Sequence, residues 1–164
     1  MQLSEVNRNP LTKVRFKFIC AKIPQTTYFC QSISIPGITL GETEQDTPLV
    51  KIPTPGDKLI YEDLTFRFVV NEDLDNWQEM KNWLVDIGYD SVLSSSNETY
   101  ANLFAEGTIL ILSDKMNVIG QLTFEDMFPI SLGALEFDIT DPDDTVVTSE
   151  VTFKYTKYQY TRTI

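Results

Sequence analysis

The feature that most constrains the fold is an alternation of apolar and polar side chains in two short segments. In Val14–Cys20 and Asp63–Val70 nearly every second residue is apolar, and most residues between them are charged or polar. Successive side chains of a β-strand point to opposite faces, so a period of two is typical of a strand with one buried and one solvated face. The chain is therefore expected to build mostly antiparallel sheets.

Further strands are predicted from β-branched and aromatic residues bounded by turn residues. They are Tyr28–Ile35, Gly107–Leu112, Val118–Phe124, Leu135–Ile139 and Thr145–Tyr158. The first of these is expected to pair antiparallel with Val14–Cys20. The last two are expected to form a long hairpin around a turn at Asp141–Asp144, where proline suits the second turn position.

One helix is predicted over residues 73–88, with Asp73 as N-cap and Gly88 ending the helix. Its core face follows helical spacing through Leu74, Trp77, Met80, Leu84 and Ile87. Trp83 either widens that face or is left for a partner. Together these elements predict a mainly β fold: one domain over residues 1–164, an antiparallel β-sandwich or barrel with one flanking α-helix.

A long polar connection separates the early strands from the strand before the helix. Residues 37–63 carry Pro48, Pro53 and Pro55. Connections above roughly 12–15 residues are usually functional or disordered. Apolar side chains in the segment count against a floppy loop; they are Leu49, Val50, Ile52, Leu59, Ile60 and Tyr61.

The sequence gives little support to catalysis or to metal and cofactor binding. It contains no histidine, which excludes Ser-His-Asp triads, Cys-His dyads and histidine-ligated zinc. No phosphate-binding glycine motif is present. A carboxylate-dependent glycosidase remains an alternative from a different class, although no spacing selects a pair of acids. Asp141–Asp144 lacks the later ligands of a calcium loop, since Thr152 stands where Glu would be required.

Charge argues against tight binding of nucleic acid. The 164 residues carry a net charge of −11, whereas nucleic-acid binders neutralise phosphates with Lys and Arg. Acids concentrate at 136–150, while residues 151–164 carry only bases. This asymmetry either orders subunits head to tail or is an uneven solvated surface. No signal peptide or membrane helix is expected, so Cys20 and Cys30 are expected to be free thiols of a cytoplasmic protein, with a bridge as the alternative.

Three ordered blocks resemble the tail tube protein of contractile-tailed, T4-like bacteriophages. The first block is the early pair of strands, which ends at Ser34–Gly37. The second runs from Pro55–Lys58 through a strand and Phe68–Asp73 into the helix with two tryptophans. The third is Phe128–Gly133, which precedes the closing hairpin. The resemblance covers roughly residues 14–160. It implies six-fold rings whose strands form one inner β-barrel, stacked into a tube that conducts DNA into the host.

The resemblance also implies roles for particular segments. Residues 37–63 would be an arm packing on the neighbouring ring, stiffened by its prolines and anchored by its apolar side chains. The closing hairpin would line the lumen with Glu136, Asp138, Glu150, Thr152 and Lys154, whose acids would repel DNA phosphates.

The implied partners are other copies of the chain, the sheath, a baseplate tube initiator and a tape-measure protein, with DNA passing unbound. The implied location is the virion tail, assembled in the host cytoplasm, and the implied role is structural rather than enzymatic. Alternatives within this class are a ring that starts or ends the tube and the tube of a related contractile injection system.

Overall fold

Two antiparallel sheets packed face to face form the body of the protein. The computed structural model describes residues 11, 13–93, 103–140, 142 and 145–163. Its strands are β1 (Phe16–Cys20), β2 (Cys30–Ser34), β3 (Ile38–Asp46), β4 (Lys51–Tyr61), β5 (Leu64–Val69), β6 (Ala105–Leu112), β7 (Val118–Leu132), β8 (Thr148–Lys154) and β9 (Lys157–Arg162). Its helices are α1 (Pro24–Tyr28) and α2 (Asp75–Leu93).

The long strand β7 belongs to both sheets. Its first part pairs with β6 and β9, and β6 pairs with β1, which gives a first sheet in the order β1-β6-β7-β9. Its last part pairs with β8, which continues through β5 to β2 and gives a second sheet. A positive φ of 52° at Asp126 and a register shift between Pro129 and Ser131 mark the passage from one sheet to the other. This architecture confirms the predicted mainly β, antiparallel fold.

Aromatic side chains fill the space between the sheets. Phe18, Phe66, Phe68, Phe124 and Phe153 are all at most 2% exposed. Phe66 and Phe153 stack with ring centroids 5.4 Å apart. On β5 the alternation predicts the observed arrangement, because Leu64, Phe66 and Phe68 are buried and Arg67 between them is exposed.

The helix differs from the prediction at both ends. Leu74 adopts a positive φ of 60° before the helix begins and is 39% exposed, so its place on the core face was wrong. Met80 is buried and Trp77 and Ile87 pack against the core. Trp83 is buried as well, and its indole N–H donates to the carbonyl of Leu103 at 2.8 Å.

Gly88 lies inside α2, which continues to Leu93, so the predicted end of the helix was also wrong. A glycine ends a helix when it takes up the left-handed conformation, and no glycine among the described residues has a positive φ.

Three strand predictions were wrong. The strands β1 and β2 do not pair; they lie at opposite ends of the strand order, and α1 precedes β2. Residues 135–139 form no strand: Phe137 and Ile139 are exposed and find no sheet to cover, and the carboxylate of Asp138 accepts hydrogen bonds from Thr140 instead. Residues 145–158 are divided between β8 and β9 at a bend at Thr156. Most of the predicted turn at 141–144 lies outside the described residues.

Both cysteines are free thiols, as expected. Cys20 is on β1 and Cys30 on β2, so they belong to different sheets. Burial raises the pKa of both thiols, that of Cys30 to about 11. Both therefore stay protonated and unreactive near neutral pH.

Candidate assembly surfaces

A two-stranded hairpin, β3–β4, extends from the body and is called the arm hairpin below. Each of its strands pairs only with the other strand within the part of the chain that the structure describes. A turn at Thr47–Val50 closes it, held by a bond from the Thr47 N–H to the Val50 carbonyl at 3.2 Å. The predicted connection at 37–63 is therefore a β-hairpin rather than irregular chain.

The arm hairpin exposes apolar side chains on a segment that has no core of its own. Leu49 at its tip is 93% exposed and Val50 is 68% exposed. Ile52, Leu59 and Ile60 are also exposed, whereas Tyr61 at the base is half-buried. A hairpin of two strands is at best marginally stable alone in water. Exposed apolar surface on such an element is typical of a contact with another molecule.

A close backbone approach sets the shape of the arm hairpin midway along its length. The register shifts between Leu40 and Glu42, where β4 inserts extra residues opposite Gly41. A Cβ atom on Gly56 would lie 2.6 Å from the Gly41 carbonyl oxygen. Only glycine permits this contact, so Gly56 is required for the bulge.

Two tyrosines at the β8–β9 corner hold both chains at the root of the arm hairpin. The Tyr155 hydroxyl donates to the Glu62 carbonyl at 2.7 Å, and the Tyr158 hydroxyl donates to the Pro36 carbonyl at 3.1 Å. Both rings pack on Phe124, with centroids at 5.0 and 5.3 Å. The root is therefore fixed to the core on both sides.

The root carries further bonds between its two chains. The Glu62 N–H donates to the Gly37 carbonyl at 3.1 Å, and the Glu62 carboxylate accepts from the Gly37 N–H at 3.2 Å. Lys154 pairs with Asp63 at 2.5 Å. These contacts give the arm hairpin a defined direction relative to the body.

The outer face of the second sheet is polar and balanced in charge. Glu150, Thr152 and Lys154 alternate with the buried residues of β8, so they lie together on this face. Arg67 of β5 is the register partner of Glu150 and pairs with it at 3.4 Å. With the pair Lys154–Asp63, each charge on these two strands has an opposite charge beside it.

Two of the predicted lining residues are not on that face. Glu136 and Asp138 lie in the irregular stretch after β7, because the hairpin that would have placed them on a strand does not form. They line an open cavity of about 680 Å³. The expected acidic sheet face was therefore wrong: the strands present paired charges and hydroxyl groups, and these acids stand apart from them.

Sequence reasoning missed Arg67 and Asp63 as partners of this face. The signal was present, since Arg67 occupies a solvated position in the alternation of β5. It could be used only with the β5–β8 register, which joins residues about eighty to ninety positions apart.

No three His, Cys, Asp or Glu side chains of the described chain are placed to hold a metal ion. Within the same residues, no helix has the length and hydropathy to cross a membrane. Partial desolvation, together with the nearby Tyr158 and Asp63, raises the pKa of Tyr155 far above its usual value, so its hydroxyl remains a hydrogen-bond donor to the arm root.

Comparison with known proteins matches this arrangement to tail tubes. The family described as phage tail tube protein matches residues 11–161. The chain is 28% identical over 137 residues to the tail tube terminator protein of Enterobacteria phage T4, covering 81% of this chain and 77% of that protein.

Solved structures share the fold at lower identity. A chain in the anti-feeding prophage baseplate has a TM-score of 0.68 at 14% identity, covering 94% of this chain and 97% of its own. A chain in the PVC sheath–tube complex has a TM-score of 0.67 at 18% identity, with coverage of 96% and 95%. A chain in the anti-feeding prophage tube-terminating cap also reaches 0.67, at 15% identity, with coverage of 98% and 96%. The fold and the family match over nearly the whole described chain together show that this chain belongs to the phage tail tube protein family and has a structural role related to the tail tube.

Proposed function

We propose that the chain forms six-fold rings that stack into the inner tube of a contractile tail, through which DNA passes into the host. The observation that carries this proposal is the arm hairpin, which projects from the body with exposed Leu49, Val50 and Ile52. Burying roughly 100 Å² on each large side chain would contribute about 2 kcal/mol per residue. Because a ring repeats this contact once in each copy, the total binding free energy between rings grows without any single contact becoming larger.

The outer face of the second sheet is proposed to line the lumen. Its Ser and Thr hydroxyls and its paired charges Arg67–Glu150 and Lys154–Asp63 would leave few unpaired cations for phosphate. A duplex moving through the lumen would then be neither held by salt links nor strongly repelled. Glu136 and Asp138, on their separate loop, are proposed to lie at the rim of the lumen.

Joining the second sheet of each copy to its neighbour would also remove open sheet edges. The strand β2 is at one end of this sheet and the last part of β7 is at the other. Among the strands that the structure describes, neither has a partner on its outer side. Open edges invite uncontrolled association unless they are closed. The proposed lateral partner is therefore another copy of this chain.

The wider assembly follows from the proposed role. The partners proposed are a sheath around the tube, an initiator at the baseplate and a tape-measure protein within the tube. The proposed location is the virion tail, assembled in the cytoplasm of the host. The solved structures with the same fold include a sheath–tube complex and a baseplate, which supports this setting.

A terminating ring is the second candidate. It is favoured by the identity of 28% to the T4 tail tube terminator protein and by the likeness to a tube-terminating cap. A terminator would use one face of the ring to bind the tube and would not extend itself.

Electron microscopy of the purified chain tests both candidates. Concentrated protein should form six-fold rings and stacked tubes, whereas single rings that join only a preformed tube would establish the terminator. Deleting residues 44–60 should leave folded subunits and rings but abolish stacking. Persistent stacking after that deletion would exclude the arm hairpin as the contact between rings.

A further inference from the structure

The two edges of the arm hairpin differ in their capacity to add another strand. In an antiparallel pair, residues alternate between positions bonded across the pair and positions whose N–H and C=O groups point outward. The turn shows which positions are which, because Thr47 donates to the Val50 carbonyl and these residues are therefore bonded across the hairpin. Their neighbours Asp46 and Lys51 must then point outward.

Counting on from the turn places both prolines at outward positions. The register pairs Gln45 with Ile52, Glu44 with Pro53, and Glu42 with Pro55. Pro53 and Pro55 have no N–H group, so β4 offers no donor at two successive outward positions. This edge is blocked against strand addition over the outer half of the arm hairpin.

The opposite edge is open. Glu42, Glu44 and Asp46 stand at outward positions of β3 and keep their N–H groups. Their side chains lie on one face, since they are two residues apart along a strand. The open edge is therefore acidic, and one of its acids, Glu44, pairs with Lys51 at 2.7 Å.

The charges of this edge restrict what can pair with it. Pairing of β3 with β3 of another copy would place acids opposite acids, which destabilises a sheet. A complementary strand needs bases and an open edge of its own. The strand β9 satisfies both conditions, because it contains no acid and pairs with β7 only, among the described strands. Its Lys157 already pairs with Glu125 of β7 at 3.1 Å, so Arg162 is the base that would meet the acids of β3.

The backbone of β9 is in phase with this pairing. Thr163 donates to the Ile119 carbonyl, which makes Thr163 a position bonded to β7. Alternation then leaves Tyr158, Tyr160 and Arg162 with outward N–H and C=O groups. Arg162 can therefore stand directly opposite an acid of β3, with backbone bonds on either side.

We propose that the arm hairpin of one copy adds its β3 edge, over Glu42–Asp46, to the β9 edge of a second copy in the adjacent ring, and that Pro53 and Pro55 confine this addition to one side. The inference rests on the proposed stacking of rings. It specifies which residues make the contact and why it has one direction.

Proline substitution tests the backbone part of the proposal. Glu44→Pro removes an outward donor from β3 and leaves the bonds within the hairpin in place. It should reduce stacked tubes in electron micrographs by roughly ten-fold or more, because each lost hydrogen bond is repeated around the ring. Lys51→Pro is the matched control: it loses the same ion pair but removes a donor from the blocked edge, so tubes should persist. Normal tubes with Glu44→Pro would overturn strand addition, while failure of the 44–60 deletion to block stacking would overturn the arm role itself.

Charge exchange tests the choice of β9. Arg162→Glu should abolish stacking of otherwise normal rings, and so should the triple variant Glu42→Lys, Glu44→Lys and Asp46→Lys. Rings that combine all four substitutions should stack again. Stacking that is insensitive to Arg162→Glu, yet lost with Glu44→Pro, would show that another edge accepts β3 and would overturn the assignment of β9.

Discussion

The double variant Tyr155→Phe/Tyr158→Phe should loosen the arm hairpin without unfolding the body. Each substitution removes one hydroxyl that donates to a carbonyl at the arm root, Glu62 for Tyr155 and Pro36 for Tyr158. The aromatic rings remain, so their packing on Phe124 is kept and no cavity forms.

The size of the effect follows from the surroundings of the two bonds. An intramolecular hydrogen bond contributes about 0.5–1.5 kcal/mol to stability. The bond from Tyr155 is exposed, so water can replace it and its loss costs the lower part of that range. The bond from Tyr158 is partly buried, so its loss costs the upper part. Together the root should lose about 1–2 kcal/mol, which increases the open population roughly 5–30-fold.

Hydrogen exchange measured by mass spectrometry checks this estimate. Amides of β3 and β4 should exchange faster by that factor, while those of β5 and β8 should change far less. Tyr28→Phe is the control, because Tyr28 is highly exposed. The substitution removes a hydroxyl far from the arm root and keeps the ring that contacts Phe29, so exchange in the arm hairpin should not change. Unchanged exchange in the arm hairpin would refute the view that the two hydroxyls fix its root.

Three further predictions concern the body. Asn76→Ala should lower the free energy of unfolding by about 2–4 kcal/mol in urea titrations, because it leaves two partly buried backbone groups, the Val69 carbonyl and the Asn71 N–H, without their partner. Gly88→Ala should raise it by about 0.5–1 kcal/mol, since an added Cβ meets nothing within 4 Å in mid-helix. Cys20 and Cys30 should react with Ellman's reagent at pH 8 only after denaturation, because burial raises the pKa of both thiols. Since the pKa of Cys30 is raised to about 11, its contribution to the free energy of unfolding is present below pH 9 and is lost as the pH rises towards 11.

The buried faces of the strands could be predicted because they depend on local alternation. Phe66 and Phe68 of β5, and Val151 and Phe153 of β8, are buried as the period of two requires. Strand partners could not be predicted in the same way. The pairing of β1 with β6 joins residues about ninety apart, and nothing local to β1 selects that partner over the nearer β2.

The segment after β1 forms a short helix, α1, that was not predicted from the sequence. Thr26 of α1 is buried; its hydroxyl contacts the Asn76 carbonyl and the Glu79 carboxylate, each at 2.9 Å. These hydrogen bonds to α2 stabilise α1, the short helix that lies between β1 and β2. Pro24 at the start of a helix was the available local signal.

The arm was located from its prolines and apolar residues, but its structure was not predicted. Pro53 and Pro55 are unfavourable at most positions of a strand, since proline cannot donate to a ladder. Their spacing of two residues was the informative detail, because it allows both to point away from β3. A strand with prolines at alternate outward positions is still a strand, and it is closed to addition on that side.

The proposed contact between the β3 edge of one copy and the β9 edge of another bears on whether the ring extends a tube or ends one. A heterologous contact that does not close on itself grows without limit when one chain carries both halves of it. If β9 accepts the β3 edge of an identical copy, each ring presents donors on one face and acceptors on the other, and rings must propagate. A terminator with the same fold would need only one of these halves to match the tube. A ring in which all six copies carry Arg162→Glu should change from a tube subunit into a terminator. Such a ring would still donate its arm hairpins but accept none, and it should then cap a growing tube at a single end.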